Sequence, residues 1–269
     1  MQSRRDHVQI DDHAVRVRTI AVVNPAADAR PTLVFLHDSL GCISVWRDFP
    51  DVVSAALGCH ALVYDRRGYG ESSPFAPEPR RPSYLADEAA MLIRVLDATG
   101  VGDAVLFGHS DGGSIALLAA AHFPKRVTAV VTEGAHVFVE ERTLEGIRAA
   151  KELLRTTDLR ERLWRHHGEQ TDAVTAAWID VWLSPEFRDW NIERDLQAIH
   201  CPVLVLQGVD DEYGTAEQVR AIVDGVRGVS EAHLIAGARH TPHREAREET
   251  LRLTTAFLAR VVDGPAHAT

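Results

Sequence analysis

A serine inside a short glycine-rich segment is the first candidate for chemistry in this chain. Residues 108–113 read Gly-His-Ser-Asp-Gly-Gly, and Ser110 lies between an apolar run at 104–107 and a helical pattern at 112–122. In a strand–turn–helix context, a G-x-S-x-G segment presents the serine hydroxyl at the edge of a sheet, where it can act as a nucleophile. The flanking glycines are expected because side chains there would collide with the neighbouring strand or helix.

A serine hydroxyl is a weak nucleophile, so the sequence must also supply a base and an acid that orients the base. After a turn of this type, the acid and then the histidine follow along the chain, in loops at the carboxyl ends of later strands. The loop after the predicted strand 203–206 carries Asp210 and Asp211, of which Asp211 is preferred. Glu133, which follows the preceding strand, is a third candidate for the acid.

A histidine after the last predicted strand is the candidate base. The run at 232–235 is followed by His240 and, three residues later, by His243. The chain has 14 histidines, so histidine content alone does not single out a base. The position after the last strand favours His240, with His243 as its competitor.

Short apolar runs alternate with longer helical patterns over most of the chain. Residues 7–21 alternate apolar and polar side chains around Asp11 and Asp12, which predicts a hairpin. The later runs are almost continuously apolar, which is typical of parallel strands buried on both faces. Strands separated by helices predict an α/β fold with a mostly parallel sheet. The predicted strands are 32–36, 61–64, 104–107, 127–131, 203–206 and 232–235, and the predicted helices are 84–99, 112–122, 215–227 and 244–262.

One long interval, 136–199, contains no convincing strand. Its helical patterns and the tryptophans Trp164, Trp178 and Trp182 predict a helical lid inserted into the α/β core. The core would then comprise residues 1–135 and 200–269. Ordinary helical packing, with tryptophan as core filler, is the alternative. The helical patterns lie at 140–156, 158–167, 172–183 and 193–198.

Composition argues against several classes of protein. The 269 residues are 45% hydrophobic and 25% charged, with a net charge of −10, so the chain is a poor candidate for binding nucleic acid. Its three cysteines are an odd number without tight spacing, which argues against a disulfide scaffold and favours the cytoplasm. The N-terminus lacks the apolar stretch of a signal peptide, and no apolar run is long enough to cross a membrane. We therefore expect a cytoplasmic protein that acts on a small molecule, without nucleic-acid or membrane partners.

A pair of glycines, Gly68 and Gly70, follows the predicted strand 61–64 and could be mistaken for a dinucleotide-binding loop. The segment lacks the third glycine of that motif, and no suitable acid follows at the distance where such loops carry one. We therefore expect no cofactor, and no metal site is predicted.

Five short motifs resemble those of the α/β-hydrolase superfamily, and the resemblance extends over nearly the whole chain. It implies an eight-stranded, mostly parallel sheet with helices on both faces, an inserted helical lid and a Ser-His-Asp triad. The superfamily carries the acid at the end of a Gly-x-x-Asp motif and the base at the first histidine of its last motif, which implies Asp211 and His240. The motifs lie at 36–39, 65–72, 108–113, 208–211 and 240–243.

Acyl transfer through a serine also needs backbone N–H donors for the oxyanion. One donor is the N–H of the residue after the nucleophile, Asp111, and the other comes from the loop after the strand 32–36. The resemblance assigns this second donor to Ser39. The sequence departs from the superfamily at Asp38, where glycine is usual. A carboxylate there would oppose the oxyanion, so we expect Asp38 to point elsewhere or to have a local partner.

The resemblance implies ester hydrolysis through an acyl-enzyme, with Asp111 and Trp182 as the expected substrate contacts. The turn and the lid look like those of α-amino-acid ester hydrolases, in which the acid after the nucleophile is thought to meet a substrate ammonium. For Asp111 the alternative is that it caps the helix. The loop 39–46 looks like that of enol-lactonases. Meta-cleavage C–C hydrolases are the chemical alternative, and a non-catalytic or single-turnover small-molecule receptor is the non-enzymatic one.

Overall fold

An eight-stranded sheet forms the centre of the computed structural model, which describes residues 1–24, 26–76, 78 and 80–263. The strands are β1 Gln2–Ile10, β2 His13–Ala21, β3 Thr32–Leu36, β4 Ala61–Tyr64, β5 Ala104–His109, β6 Val127–Glu133, β7 Val203–Gly208 and β8 Ser230–Ile235. Across the sheet they run in the order β1-β2-β4-β3-β5-β6-β7-β8. The predicted hairpin is β1 and β2; β2 pairs antiparallel with β4, and the remaining neighbours are parallel. The end of the predicted core, 264–269, lies outside the described residues.

Helices cover both faces of the sheet. They are α1 Phe49–Leu57, α2 Tyr84–Thr99, α3 Asp111–His122, α4 Glu141–Thr156, α5 Leu159–His167, α6 Thr171–Trp182, α7 Glu193–Leu196, α8 Ala216–Gly225, α9 Pro242–Glu245 and α10 Arg247–Val262. On one face α2, α3 and α8 bury residues such as Leu92, Leu117 and Ile222, and on the other α1 and α10 bury Phe49 and Phe257. These layers confirm the predicted fold class. Among the described helices, none combines the length and the apolar character needed to span a membrane.

Three sequence predictions about elements were wrong. Helix α1 was missed; it has only nine residues and ends at Gly58, whose φ is 61°. Strand β8 is not buried on both faces: it lies at the edge of the sheet, and Leu234 is 50% exposed. The single helix predicted at 244–262 is two helices, because Ala246 leaves the helical conformation with φ −131° and ψ 51°.

Four helices, α4 to α7, lie between β6 and β7 in the chain. One histidine at the end of α5 connects this segment to the rest of the molecule. His167 Nε2–H donates to the Leu40 carbonyl at 2.9 Å, and His167 Nδ1 accepts the Gly70 N–H at 3.0 Å. A neutral imidazole thus ties α5 to the loops that follow β3 and β4.

Candidate active site

Ser110 occupies the turn between β5 and α3 in a conformation that residues other than glycine rarely adopt. Its φ is 54° and its ψ is −119°. The turn is fixed by hydrogen bonds from the Ser110 N–H to the Glu133 carbonyl and from the Gly113 N–H to the Ser110 carbonyl, both 2.8 Å. Backbone conformations of this kind store about 1–3 kcal/mol and cluster at functional sites.

The glycines around Ser110 allow the turn to pack against itself and against the end of β3. A Cβ at Gly108 would lie 2.1 Å from the Gly112 carbonyl oxygen. A Cβ at Gly112 would lie 2.0 Å from the carbonyl oxygen of Leu36. Both contacts are with backbone atoms, so the collisions expected from the sequence could not be relieved by a side-chain movement.

Relieving the strain at Ser110 is expected to stabilise the fold. Glycine adopts a positive φ freely, so Ser110→Gly should be about 1 kcal/mol more stable than Ser110→Ala, which keeps the strain. For a chain of this size the glycine variant should have a Tm roughly 2 °C higher in thermal unfolding followed by circular dichroism. Equal Tm values, or a less stable glycine variant, would contradict the assignment of strain to Ser110.

His240 and Asp211 form a hydrogen-bonded pair in the loops after β8 and β7. His240 Nδ1 lies 2.9 Å and 3.0 Å from the two carboxylate oxygens of Asp211. Asp211 also accepts the backbone N–H groups of Tyr213 at 2.8 Å and Gly214 at 3.2 Å. Burial opposes the ionisation of Asp211, but the charge and hydrogen bond of His240 lower its pKa to about 2. Burial lowers the pKa of His240, but the Asp211 charge outweighs it, and the net pKa lies above its ordinary value.

His240 is held beside the serine turn through His109, the residue that precedes Ser110. His109 Nε2–H donates to the His240 carbonyl at 2.8 Å, and the centroids of the two rings are 5.1 Å apart. Within the described residues, no hydrogen bond joins the Ser110 hydroxyl to His240. In ligand-free structures such catalytic hydrogen bonds are often long, and they tighten when the substrate binds.

The rival acid and the rival base of the sequence analysis are bound to each other. The Glu133 carboxylate accepts the Nδ1–H of His243 at 2.6 Å and also its backbone N–H. Burial opposes the ionisation of Glu133, but His243 holds its pKa below the ordinary value. Asp210 is exposed, and in the described part of the chain His240 Nδ1 is paired with Asp211 and not with Asp210. The geometry therefore favours Asp211 and His240 over these competitors.

The pair of Glu133 and His243 is a feature that the sequence analysis missed. With His109, it places potential metal ligands within 4.8 Å of one another. However, His109 Nε2 and His243 Nδ1 already take part in hydrogen bonds. The cluster therefore fits a hydrogen-bonded support for the His240 loop better than a metal site. Finding this pair from the sequence would have required the register that places His109 beside Glu133 on β5 and β6. That register depends on the order of the strands in the sheet.

The two predicted oxyanion donors follow the neighbouring strands β3 and β5. Among the described residues, neither the Ser39 N–H nor the Asp111 N–H has a hydrogen-bond acceptor. The loop at Ser39 is held by Arg66, whose Nη2 donates to the Asp38 carbonyl at 2.8 Å. Two uncommitted N–H groups next to a serine turn are what an oxyanion hole requires. The assignment of Ser39 and Asp111 stays a prediction.

The sequence led us to expect that the Asp38 carboxylate either points away from the oxyanion site or has a local partner, and no hydrogen-bonded partner is found for it among the described residues. Its Oδ1 is shielded from solvent, and no hydrogen-bond partner is found for it in the described chain. Its Oδ2 lies 3.9 Å from His109 Nδ1, and the side chain is 29% exposed. The carboxylate therefore lies beside the serine turn without a hydrogen-bond donor that would stabilise its charge among the described residues.

The side chains of Asp111 and Trp182 belong to one buried hydrogen-bonded chain. Asp111 Oδ2 accepts the Tyr84 hydroxyl at 2.9 Å and lies 3.6 Å from Arg66 Nη1. The Tyr84 oxygen in turn accepts Trp182 Nε1–H at 2.7 Å. Asp111 is 1% exposed and Trp182 is 2% exposed. These contacts favour structural roles for both side chains, and their contact with a substrate stays a prediction.

Comparisons with known proteins agree with this architecture. The family profile described as alpha/beta hydrolase fold matches residues 31–195. The chain is 30% identical over 204 residues to Serine hydrolase BPHL of Homo sapiens, which covers 73% of this chain and 68% of that protein. It is 27% identical over 263 residues to a 2-hydroxy-6-oxononadienedioate/2-hydroxy-6-oxononatrienedioate hydrolase of Paraburkholderia xenovorans (strain LB400), covering 88% of this chain and 89% of the relative.

Solved structures share the fold. A membrane phospholipase A described as a bacterial virulence factor superposes with a TM-score of 0.79 at 21% identity, over 97% of this chain and 87% of that one. Est816, described as an N-acyl homoserine lactone degrading enzyme, gives a TM-score of 0.68 at 24% identity, over 94% of this chain and 100% of that one. At these identities the likeness shows the fold alone.

Proposed function

The chain belongs to the alpha/beta hydrolase fold family and is a hydrolase, and we propose that it cleaves a small-molecule carboxylic ester, or a related thioester or lactone, with Ser110, His240 and Asp211 as its triad. The observation that carries the proposal is the hydrogen-bonded His240–Asp211 pair, held beside the strained turn at Ser110. A base oriented by an acid, next to a serine on a sharp turn, is the arrangement that serine acyl transfer needs.

In the first half of the reaction, Ser110 Oγ attacks the carbonyl carbon and its proton passes to His240 Nε2. Asp211 holds the imidazole by its Nδ1–H and stabilises the imidazolium that forms. The negative charge on the carbonyl oxygen is taken up by the N–H groups of Ser39 and Asp111. The bond to the leaving oxygen then breaks, and His240 returns its proton to that oxygen.

In the second half, water replaces the alcohol. His240 takes a proton from the water as it attacks the acyl-enzyme, and a second tetrahedral oxyanion forms on the same donors. The bond to Ser110 Oγ breaks, the serine regains its proton from His240, and the carboxylic acid leaves. Apart from water, no step needs a co-reactant, an oxidant or a reductant.

We also propose that residues 136–199 act as a lid over a core formed by 1–135 and 200–269. Two contacts support this division: His167 binds the loops after β3 and β4, and Trp182 binds Tyr84 of α2. Both connect the helical segment to elements that border the serine turn. A lid placed in this way would exclude water from the acyl-enzyme until the alcohol has left.

The proposed base predicts how activity depends on pH. His240 must be neutral to accept a proton, and although burial lowers its pKa, Asp211 raises the net pKa above the ordinary value near 6.5. We expect kcat/KM for a neutral ester to fall as the pH drops, with a midpoint above pH 6.5. Because the pKa of Asp211 is about 2, its titration should not affect the pH–rate profile above pH 4. A rate profile from pH 4 to 9 measures this, and a midpoint at or below pH 6 would contradict it.

Carbon–carbon bond hydrolysis is the second candidate, favoured by the 27% identity to the Paraburkholderia hydrolase over 89% of its length. A turnover assay on a p-nitrophenyl ester and on a ring-cleavage dienoate distinguishes the reactions. We expect many equivalents of p-nitrophenol per enzyme and much slower dienoate cleavage. Release that stops at one equivalent would favour a single-turnover receptor, and preferential cleavage of the dienoate would favour the second candidate.

A further inference from the structure

Asp38 is an acid beside the serine turn that the proposed mechanism does not use. It directly precedes Ser39, a predicted oxyanion donor, and its Oδ2 lies 3.9 Å from Nδ1 of His109, the residue before Ser110. The side chain is 29% exposed, so it is not sealed inside the core. The carboxylate therefore borders the place where the substrate carbonyl must sit.

Two of the histidines on which the Asp38 charge acts, His109 and His167, do not donate a proton to it, and a third, His240, donates its Nδ1–H to Asp211. His109 Nε2–H is committed to the His240 carbonyl, and burial lowers the pKa of His109, which keeps the ring neutral. The Nδ1 that faces Asp38 therefore carries no proton. His167 is also neutral, because burial lowers its pKa, and both of its ring nitrogens are hydrogen-bonded to backbone atoms.

The guanidinium groups near the site do not neutralise Asp38 either. Arg66 Nη2 donates to the backbone carbonyl of Asp38, and Arg66 Nη1 lies 3.6 Å from the Asp111 carboxylate. Arg165 and Arg244, whose charges act on nearby His166, are exposed. Solvent and salt screen exposed charges more strongly than buried ones.

The loop itself fixes the carboxylate in this position. A Cβ at Gly41 would lie 1.9 Å from Asp38 Oδ1, so the absence of a side chain at Gly41 makes room for the carboxylate. Oδ1 is shielded from solvent and finds no donor within the described chain. A negative charge held there, without a partner, must act on whatever enters the site.

We propose that Asp38 determines which substrate charge the site accepts, and that its carboxylate excludes esters with a negatively charged group near the scissile carbonyl. This inference rests on the proposed function. If the Asp38 carboxylate and the negative group of the ester lie about 6 Å apart, at an effective dielectric constant of about 20, their repulsion weakens binding of the ester by roughly 100-fold. Asp38 thereby disfavours the kind of dicarboxylate substrate that the name of the Paraburkholderia relative specifies.

Two esters of nearly equal shape test the proposal. Mono-p-nitrophenyl glutarate ends in a carboxylate, and p-nitrophenyl glutaramate ends in a neutral carboxamide. For the wild type we expect kcat/KM of the carboxamide ester to exceed that of the carboxylate ester by at least about 30-fold. Asp38→Asn keeps the side-chain shape and removes the charge, so the ratio of the two kcat/KM values should fall to within about 3-fold of one. If the asparagine variant does not fold, Asp38→Gly should give the same result.

Glu212→Gln is the matched control. The charges of Asp38 and Glu212 both help to raise the pKa of His240, but the Glu212 carboxylate is bound to Arg239 at 2.9 Å, so its removal should leave the ratio at the wild-type value. A wild-type ratio near one, or an undiminished ratio in a folded Asp38 variant, overturns the role of Asp38. Hydrolysis of neither ester by the wild type, or full turnover by Ser110→Ala, contradicts the proposed serine hydrolase instead.

Discussion

The Ser110→Ala variant is expected to lose ester hydrolysis by on the order of 10⁶-fold in kcat while it folds like the wild type. Without the hydroxyl no acyl-enzyme can form, and the remaining groups can only polarise the carbonyl. The fold should persist because main-chain hydrogen bonds to Glu133 and Gly113 hold the turn, and alanine keeps the same backbone strain. Steady-state kinetics with p-nitrophenyl butyrate, beside a circular dichroism spectrum, measure both effects.

Ser83→Ala is a suitable control for this loss. Ser83 is exposed and precedes α2, and its hydroxyl donates to Asp87, so we expect wild-type turnover. More than about a tenth of wild-type turnover in a folded Ser110→Ala variant would mean that another group is the nucleophile. In that case the interpretation of the strained turn would be wrong.

Asp211→Asn is expected to lower kcat by about 10³- to 10⁴-fold. The Tyr213 and Gly214 N–H groups bind Oδ1, so the NH2 group of the asparagine faces His240 and donates to Nδ1; the imidazole then takes the wrong tautomer or turns away. The loss of the Asp211 charge also removes the main influence that raises the pKa of His240 against burial. The residual activity should therefore have its acid limb at a lower pH than the wild type, which a profile of kcat/KM from pH 4 to 9 records.

The neighbouring acid provides the control for this variant. Asp210 is exposed, whereas Asp211 is 3% exposed and bound to His240, so Asp210→Asn should have wild-type kinetics. Equal losses in the two variants would point to a general electrostatic effect of the loop. Wild-type activity in Asp211→Asn would exclude Asp211 as the acid.

The sheet could be predicted largely from local patterns, because strands of a parallel sheet leave continuous apolar runs. The predicted runs 32–36 and 61–64 coincide with β3 and β4. The burial of β8 was predicted wrongly because an edge position depends on the order of the strands, which no short segment contains. Helix α1 was missed because two turns leave too few residues for a helical period to stand out.

The candidate site was predictable where chain order decides it and unpredictable where side chains from separate elements meet. A serine turn followed by an acid and a histidine in later loops led to Ser110 and to the two loops that carry the acid and the base, and the resemblance to the superfamily favoured Asp211 and His240 within them. The partners of Asp111 come from α2 and from the loop after β4, so its buried contacts could not be foreseen. The missing partner of Asp38 is likewise a property of the assembled loops.

Covalent labelling of the wild type with a fluorophosphonate, followed by mass spectrometry of the digested protein, identifies the nucleophile. Such a reagent reacts with a serine activated by a neighbouring base, and its adduct does not hydrolyse as an acyl-enzyme does. We predict one adduct, on the peptide that contains Ser110, with labelling strongly slowed in Asp211→Asn. Absence of an adduct on an enzyme that turns over esters, or an adduct on a different residue, would contradict Ser110 as the nucleophile.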